Sequence, residues 1–299
     1  MNVSEQQKPS TIKIWLAAIR PATLTASFVP IVVAGSLAWA QGHQKPDVLF
    51  ACLLGALFIQ IATNLHNDYE DFVRGADTED RLGQARVTQK GWVTQRTVLQ
   101  GALLTVFLAI LCAAYLTYMA GWPIVVIAIF SLISGFAYTG GPKPLGYAGL
   151  GDVFVFLFFG LVAVCGTHYA MTLTWSIDAF FAAIPVGMMA SAILVVNNLR
   201  DRLTDEKVGK RTVVVRFGEK FGRYQYISML VLSYLAPVVA WYLEYATSGW
   251  MLTWLSLPLA VLLGKKLLHV DGRALNPYLG KTAMLGVVYS MLFSIGVFL

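Results

Sequence analysis

Nine times between residue 23 and the C-terminus this chain returns to a stretch of nearly uncharged, apolar residues, close to the roughly 20 residues a helix needs to cross about 30 Å of hydrocarbon. The stretches run 23–40, 48–66, 97–119, 122–140, 152–171, 178–198, 225–244, 248–264 and 281–299. Only Ala120, Gly121 and Trp122 separate the third from the fourth, which predicts a tight helical hairpin. The chain is 57% hydrophobic and 13% charged, whereas soluble domains carry roughly 25% charge. The expectation is an all-α integral membrane protein, a bundle of nine transmembrane helices with cytoplasmic cap loops, forming a single domain over 1–299. Its parts are an interfacial segment at 1–21 and active-face loops at 67–96 and 199–224.

Basic residues orient such a bundle, because lysine and arginine stay in cytoplasmic loops. Under the nine-span reading, 21 of the 22 lysines and arginines fall on one side and Lys45 alone falls on the other. The expected topology places the N-terminus and the charged face in the cytoplasm and the C-terminus outside. The polar N-terminus carries no signal-peptide pattern, and a bacterial plasma (inner) membrane is the expected location. Topology accounts for the basic residues, and no nucleic-acid partner is expected. Cys52, Cys112 and Cys165 each lie in an apolar run and read as small buried hydrophobes.

Topology does not account for the acids. Ten of the sixteen carboxylates sit in two segments on that same face, Asp68, Glu70, Asp71, Asp77, Glu79 and Asp80 after the second span and Asp201, Asp205, Glu206 and Glu219 after the sixth. In NLHNDYED, Asn64 and Asp68 are four apart, and so are Asn67 and Asp71; in NNLRDRLTDE, Asn197, Asp201 and Asp205 repeat the interval. Steps of four keep side chains on one helix face, so each motif forms a polar stripe where a helix leaves the membrane. Carboxylates crowded beside a low-dielectric bundle repel one another unless cations neutralise them. Magnesium suits such a site because it takes oxygen ligands and commonly joins one or two carboxylates to a phosphate. The interleaved Arg74, Arg81, Lys143, Arg200 and Lys210 suit a diphosphate.

At these residues the sequence resembles the UbiA superfamily of intramembrane aromatic prenyltransferases, over nearly the whole chain. The family patterns NDxxDxxxD and DxxxDxxxG appear as Asn67, Asp68 and Asp71, then Asp201, Asp205 and Gly209. Gly75 stands where the family often has a third aspartate, with Asp77 two residues on. That variant, with RPATL (20–24), YTGGPKPLGYAGLGD (138–152) and GKRTVVVRFG (209–218), is similar to the branch that prenylates 1,4-dihydroxy-2-naphthoate in menaquinone synthesis.

The resemblance implies a magnesium-dependent reaction joining an allylic polyprenyl diphosphate to that naphthoate, with decarboxylation to demethylmenaquinone. It implies Asp71, Asp77, Asp201 and Asp205 as catalytic magnesium ligands, and Asn67, Lys143, Asn197, Arg200 and Lys210 around the diphosphate. Asn64, Asp68, His66, Tyr138 and Asp152 are accessory candidates. His66 reads first as a helix-end polar residue and otherwise as a base for the naphthol; Asp152 reads first as a helix N-cap. Tyr69, Phe72, Tyr138 and Phe156 are candidates for shielding an allylic cation. Prenylation of 4-hydroxybenzoate or homogentisate is the alternative within the enzyme class. A cation-coupled transporter is the alternative outside it, disfavoured because no acid lies mid-span.

Overall fold

The structure, a computed structural model, describes residues 9–75, 82–83 and 86–299. Those residues form helices and connecting turns. They run as α1 (Thr11–Ile19), α2 (Pro21–Ala40), α3 (Pro46–Val73), α4 (Gln95–Ala120), α5 (Pro123–Ala137), α6 (Gly151–Val155), α7 (Ala163–Thr172), α8 (Ile177–Lys207), α9 (Val213–Tyr242), α10 (Leu257–Leu267) and α11 (Asn276–Gly296). A π-wound segment, Phe156–Val162, joins α6 to α7, and 3₁₀ turns at Ser248–Ser256 and Gly272–Leu275 precede α10 and α11.

All nine expected stretches fall on helix, but the count of full-length spans differs. Among the described residues, seven helices are long and apolar enough to cross a membrane: α2, α3, α4, the composite Gly151–Thr172, α8, α9 and Gly272–Gly296. The fourth stretch gives α5, of 15 residues. The eighth divides at Leu257, where a 3₁₀ turn gives way to the 11-residue α10 with a proline in its first turn. Pro258 has no N–H with which to continue a preceding hydrogen-bond ladder, so it starts a helix more readily than it extends one. The α4–α5 hairpin is as tight as expected, with Gly121 at φ 83° making the turn.

Helix ends also differ from the apolar boundaries. α3 has 28 residues and α8 has 31, so each is longer than 40 Å and overshoots a hydrocarbon layer of roughly 30 Å. The overshoot carries the acidic stripes: 67–73 and 199–207, expected as parts of loops, are helical, and α9 begins at Val213 within the second expected loop. Hydropathy marks where lipid ends; a helix continues past that point when its exposed turns are solvated or paired.

At the N-terminus, α1 buries Ile14 and Ala18 and leaves Ile12 and Leu16 exposed. Arg20, in the left-handed region at φ 54°, makes the corner into α2. The interior of the bundle is built on α8, whose buried face includes Ala179, Ala182, Ala183, Val186 and Ala190. Small side chains allow close helix approach where lipid supplies no hydrophobic drive. Gly160 meets Gly187 of α8 closely: a Cβ on Gly160 would lie 2.7 Å from the Gly187 Cα. The three cysteines are free thiols, Cys52 buried and the others partly so.

Candidate active site

A cavity of about 840 Å³ opens among the ends of α3 and α8 and continues down between the helices. On α3 it is lined by Cys52, Gly55, Ala56, Ile59, Gln60, Thr63, Asn64, Asn67 and Asp71, an i, i+3/i+4 stripe about 28 Å long from first to last. Its mouth is ionic: Asp71, Arg86, Arg200, Asp201, Asp205 and Lys210 all line it, with Asn67, Asn197 and Asn198. Its depth is mostly apolar, with Phe154, Phe158, Phe159, Leu116, Ile124 and Ile127 in the wall.

Each acid of the two stripes that lines the mouth has a cation beside it. Asp71, 1% exposed, accepts from Arg86 Nη2 at 2.6 Å through Oδ2 and from the Tyr147 hydroxyl at 3.2 Å through Oδ1. Asp201 is held bidentately by its neighbour Arg200, Nε to Oδ1 at 2.8 Å and Nη2 to Oδ2 at 2.5 Å. Asp205 lies 3.7 Å from the Lys210 ammonium, which also sits 5.0 Å above the Tyr147 ring. Buried charges persist only when so compensated. The carboxamides are fixed as well: Asn67 Oδ1 accepts from the Thr139 hydroxyl at 2.5 Å and Asn197 Oδ1 from Arg200 Nη2 at 2.7 Å.

The other expected residues divide. Asn64 lines the cavity deeper down, its amide donating to the Ile19 carbonyl at 2.8 Å and to the Thr23 hydroxyl at 2.9 Å. Tyr138 lines it too. Asp68 turns away: its carboxylate accepts from the Val87 and Thr88 amides, both at 3.2 Å, and from the Thr88 hydroxyl, so it anchors the chain that follows α3. His66 is buried against the Phe136 ring, centroids 4.4 Å apart, with Nε2 3.6 Å from Glu70 and no place in the cavity wall. That favours its reading as a helix-end polar residue. Lys143 is exposed and outside the lining. Asp152 is not an N-cap: the cap of α6 is Leu150, and Asp152, inside the helix and buried, has an Oδ1 without a hydrogen-bond partner. Asp77 lies outside the described residues, as do Glu79, Asp80 and Arg81.

Of the aromatics expected at the site, only Tyr138 lines it; Phe156 packs on Gly187, and Phe154, Phe158 and Phe159 take the wall positions. Phe156 lies two residues from both Phe154 and Phe158, which turns it about 200° round the helix from the face they share. Four further mouth residues, Arg86, Tyr147, Asn198 and Asn276, escaped the sequence reading of individual roles. Tyr147 lay within the quoted glycine-rich stretch, and Asn198 adjoins Asn197.

The mouth donors fit magnesium by chemistry. They are hard oxygens offered singly rather than as a closed cage, and no group of three or more acidic, histidine or cysteine side chains forms a metal cluster among the described residues. Magnesium seldom uses a full protein cage, drawing most of its ligands from phosphate and water. Outside the spans, burial pushes the Tyr147 phenol well above its ordinary range, with the Asp71 charge adding to the shift. Burial, followed by Asp152, Asp205 and Asp71, does the same to Tyr138. Both phenols are therefore protonated hydrogen-bond donors at neutral pH.

Residues 27–277 match the UbiA prenyltransferase family. The chain belongs to this family. It is 36% identical to the 1,4-dihydroxy-2-naphthoate octaprenyltransferase of Escherichia coli K12, over 98% of either chain. With the same-named protein of Haemophilus influenzae it shares 34% identity, over 95% of this chain and 96% of that one. The fold is that of a UbiA homologue from Archaeoglobus fulgidus solved with GPP and Mg²⁺, at TM-score 0.66 and 14% identity, covering 95% of this chain and 99% of that one. Membership in a prenyltransferase family leaves the transporter alternative without support.

Proposed function

We propose that this protein transfers a polyprenyl group from an allylic polyprenyl diphosphate to 1,4-dihydroxy-2-naphthoate, with loss of the carboxylate, in menaquinone biosynthesis. The observation that carries this is one cavity with an ionic mouth, where two Asn/Asp stripes face each other, and a long apolar interior. The mouth suits a diphosphate and the interior suits its isoprenoid tail. The extensive identity with naphthoate octaprenyltransferases supports the choice of acceptor.

In this reading Asp71, Asp201 and Asp205, with Asp77, hold magnesium, directly or through water. Magnesium would neutralise the charge that builds on the departing diphosphate. Arg86, Arg200 and Lys210 supply preorganised positive charge to the same oxygens, which lowers the barrier most when it acts on developing charge. Asn67 and Asn197 orient the acids, and Lys143 reaches the outer edge of the diphosphate from its exposed loop. Tyr138 and the Phe154, Phe158 and Phe159 rings exclude water from the allylic cation. Attack through the ring carbon that bears the carboxylate lets carbon dioxide leave in place of a ring proton. No base is then needed at that ring carbon, and His66, the candidate base for the naphthol hydroxyl, lies outside the wall.

Polyprenyl tails need no polar wall, so the polar patch formed by Arg20, Thr23, Asn64 and Gln60 at one side of the cavity belongs to the aromatic acceptor. Counted with the shorter α5 and the 248–267 segment as two further crossings, the 21-to-1 asymmetry of basic residues supports a cytoplasmic mouth and N-terminus in the plasma membrane, with the C-terminus outside. The whole chain then acts as one catalytic domain.

Membranes carrying the protein, given magnesium, farnesyl or longer prenyl diphosphate and each aromatic acid in turn, test the proposal. Prenylated, decarboxylated naphthoquinol is the expected product. Turnover of 4-hydroxybenzoate or homogentisate with none of the dihydroxynaphthoate overturns the choice of acceptor.

A further inference from the structure

Arg200 is 4% exposed, and its guanidinium is more fully engaged than a simple partner of Asp201 requires. Nε and Nη2 grip Asp201, Nη2 also reaches Asn197, and Nη1 donates to Asn276 Oδ1 at 3.0 Å. Asn276 opens α11, a helix that carries neither acidic stripe, and its Nδ2 donates to the Leu82 carbonyl at 2.9 Å. The next residue, Gly83, lies so close that a Cβ there would sit 2.6 Å from Arg200 Nη2. Asn276 and Gly83 both line the cavity.

From this geometry we propose that Asn276 is a positioning residue for the diphosphate end of the site, latching Arg200 to the chain at Leu82 and thereby fixing Asp201 for its ligand. The inference rests on the proposed function. The chemistry of the position is narrow. One side chain must accept from a guanidinium and donate to a carbonyl at once, which a carboxamide does and which a carboxylate, acceptor only, does not. Aspartate at 276 would keep an acceptor for Arg200, lose the donor to Leu82, and bring a negative charge to a mouth that receives diphosphate. Gly83 is the second half of the latch, because only a residue without a side chain lets the backbone lie against the guanidinium.

The test uses purified full-length protein in detergent and reads the concentration of inorganic diphosphate, with magnesium, that half-saturates the rise in thermal midpoint. Prenyl transfer kinetics are measured alongside. For Asn276→Ala the unliganded midpoint should stay near wild type while half-saturation rises about ten-fold or more, the loss expected for a hydrogen bond to a charged group. KM for the prenyl diphosphate should rise in parallel, with KM for the naphthoate little changed. Asn276→Asp should do the same, and Gly83→Ala, which displaces the guanidinium without touching Asn276, should reproduce the pattern if Asn276→Ala fails to fold. Wild-type response to diphosphate in all folded variants, or equal changes in both KM values, overturns the latch. A wild-type protein that does not respond to magnesium and diphosphate at all overturns the functional reading, and this inference with it.

Discussion

Tyr147 donates its hydroxyl to Asp71 at 3.2 Å while its ring lies beneath the Lys210 ammonium. One side chain from the loop between α5 and α6 thus touches both acidic stripes, Asp71 directly and Asp205 through Lys210. Its phenol stays protonated, so its hydroxyl acts toward Asp71 as a donor.

Tyr147→Phe keeps the ring under Lys210 and removes the bond to Asp71. Prenyl transfer should fall about ten-fold, the scale of one hydrogen bond to a charged acceptor. The loss should appear as a higher magnesium requirement in a titration of the membrane assay, with protein abundance in the membrane unchanged.

Asp71→Asn and Asp201→Asn should each reduce turnover by about a hundred-fold or more, because the charge opposing the bound cation is lost where water does not screen it. Both variants should still insert, as judged by their yield in membrane fractions. Full activity in both would remove the metal-site assignment.

His66→Gln separates packing from catalysis. With His66 outside the cavity wall, kcat should remain within about two-fold of wild type and the pH profile should keep its shape, while stability falls by about 1 kcal/mol from lost contact with Phe136. Loss of the acidic limb of the profile, where a catalytic base takes up its proton, would restore the histidine as a base.

Stability should decline on the alkaline side. Tyr138 and Tyr147 have folded pKa values raised above the ordinary value of 10.0, so the folded state keeps protons that the unfolded state gives up. Their contribution is intact below pH 10 and is lost as pH rises from there toward the folded values. Thermal midpoints measured across that range in detergent should fall less steeply in the double variant Tyr138→Phe, Tyr147→Phe.

Much of this arrangement was legible from spacing alone. The four-residue steps of Asn67 and Asp71, and of Asn197, Asp201 and Asp205, placed those residues on common faces, and all five line the cavity. Spacing along one helix says nothing about neighbours from other elements, so Arg86, Tyr147 and Asn276 stayed hidden: the first two reach Asp71 across tertiary contacts, and Asn276 reaches Arg200 beside Asp201. Asp68 fits the same periodic stripe yet serves the backbone at Val87 and Thr88, because a helix stripe drifts and its edge meets whatever packs there. Phe156 was a candidate only for its place near the end of a span, and depth along a helix does not say which face a side chain takes; it packs on Gly187 instead. Helix ends were misjudged because hydropathy reports the lipid boundary and not the last hydrogen-bonded turn.

The overshoot of α3 and α8 beyond the apolar layer has a consequence for how the substrate travels. A molecule with a diphosphate head and an isoprenoid tail already lies in a bilayer with its head at the surface and its tail in the oil. Under the proposed function, two long helices that end in acids beyond the oil place the reactive mouth at that same depth, where the head of such a molecule would meet it with the tail still in the oil. Helix length fixes that depth, which makes the thickness of the surrounding membrane a variable of the reaction: a thicker bilayer draws the acids toward hydrocarbon, where their charge is harder to sustain.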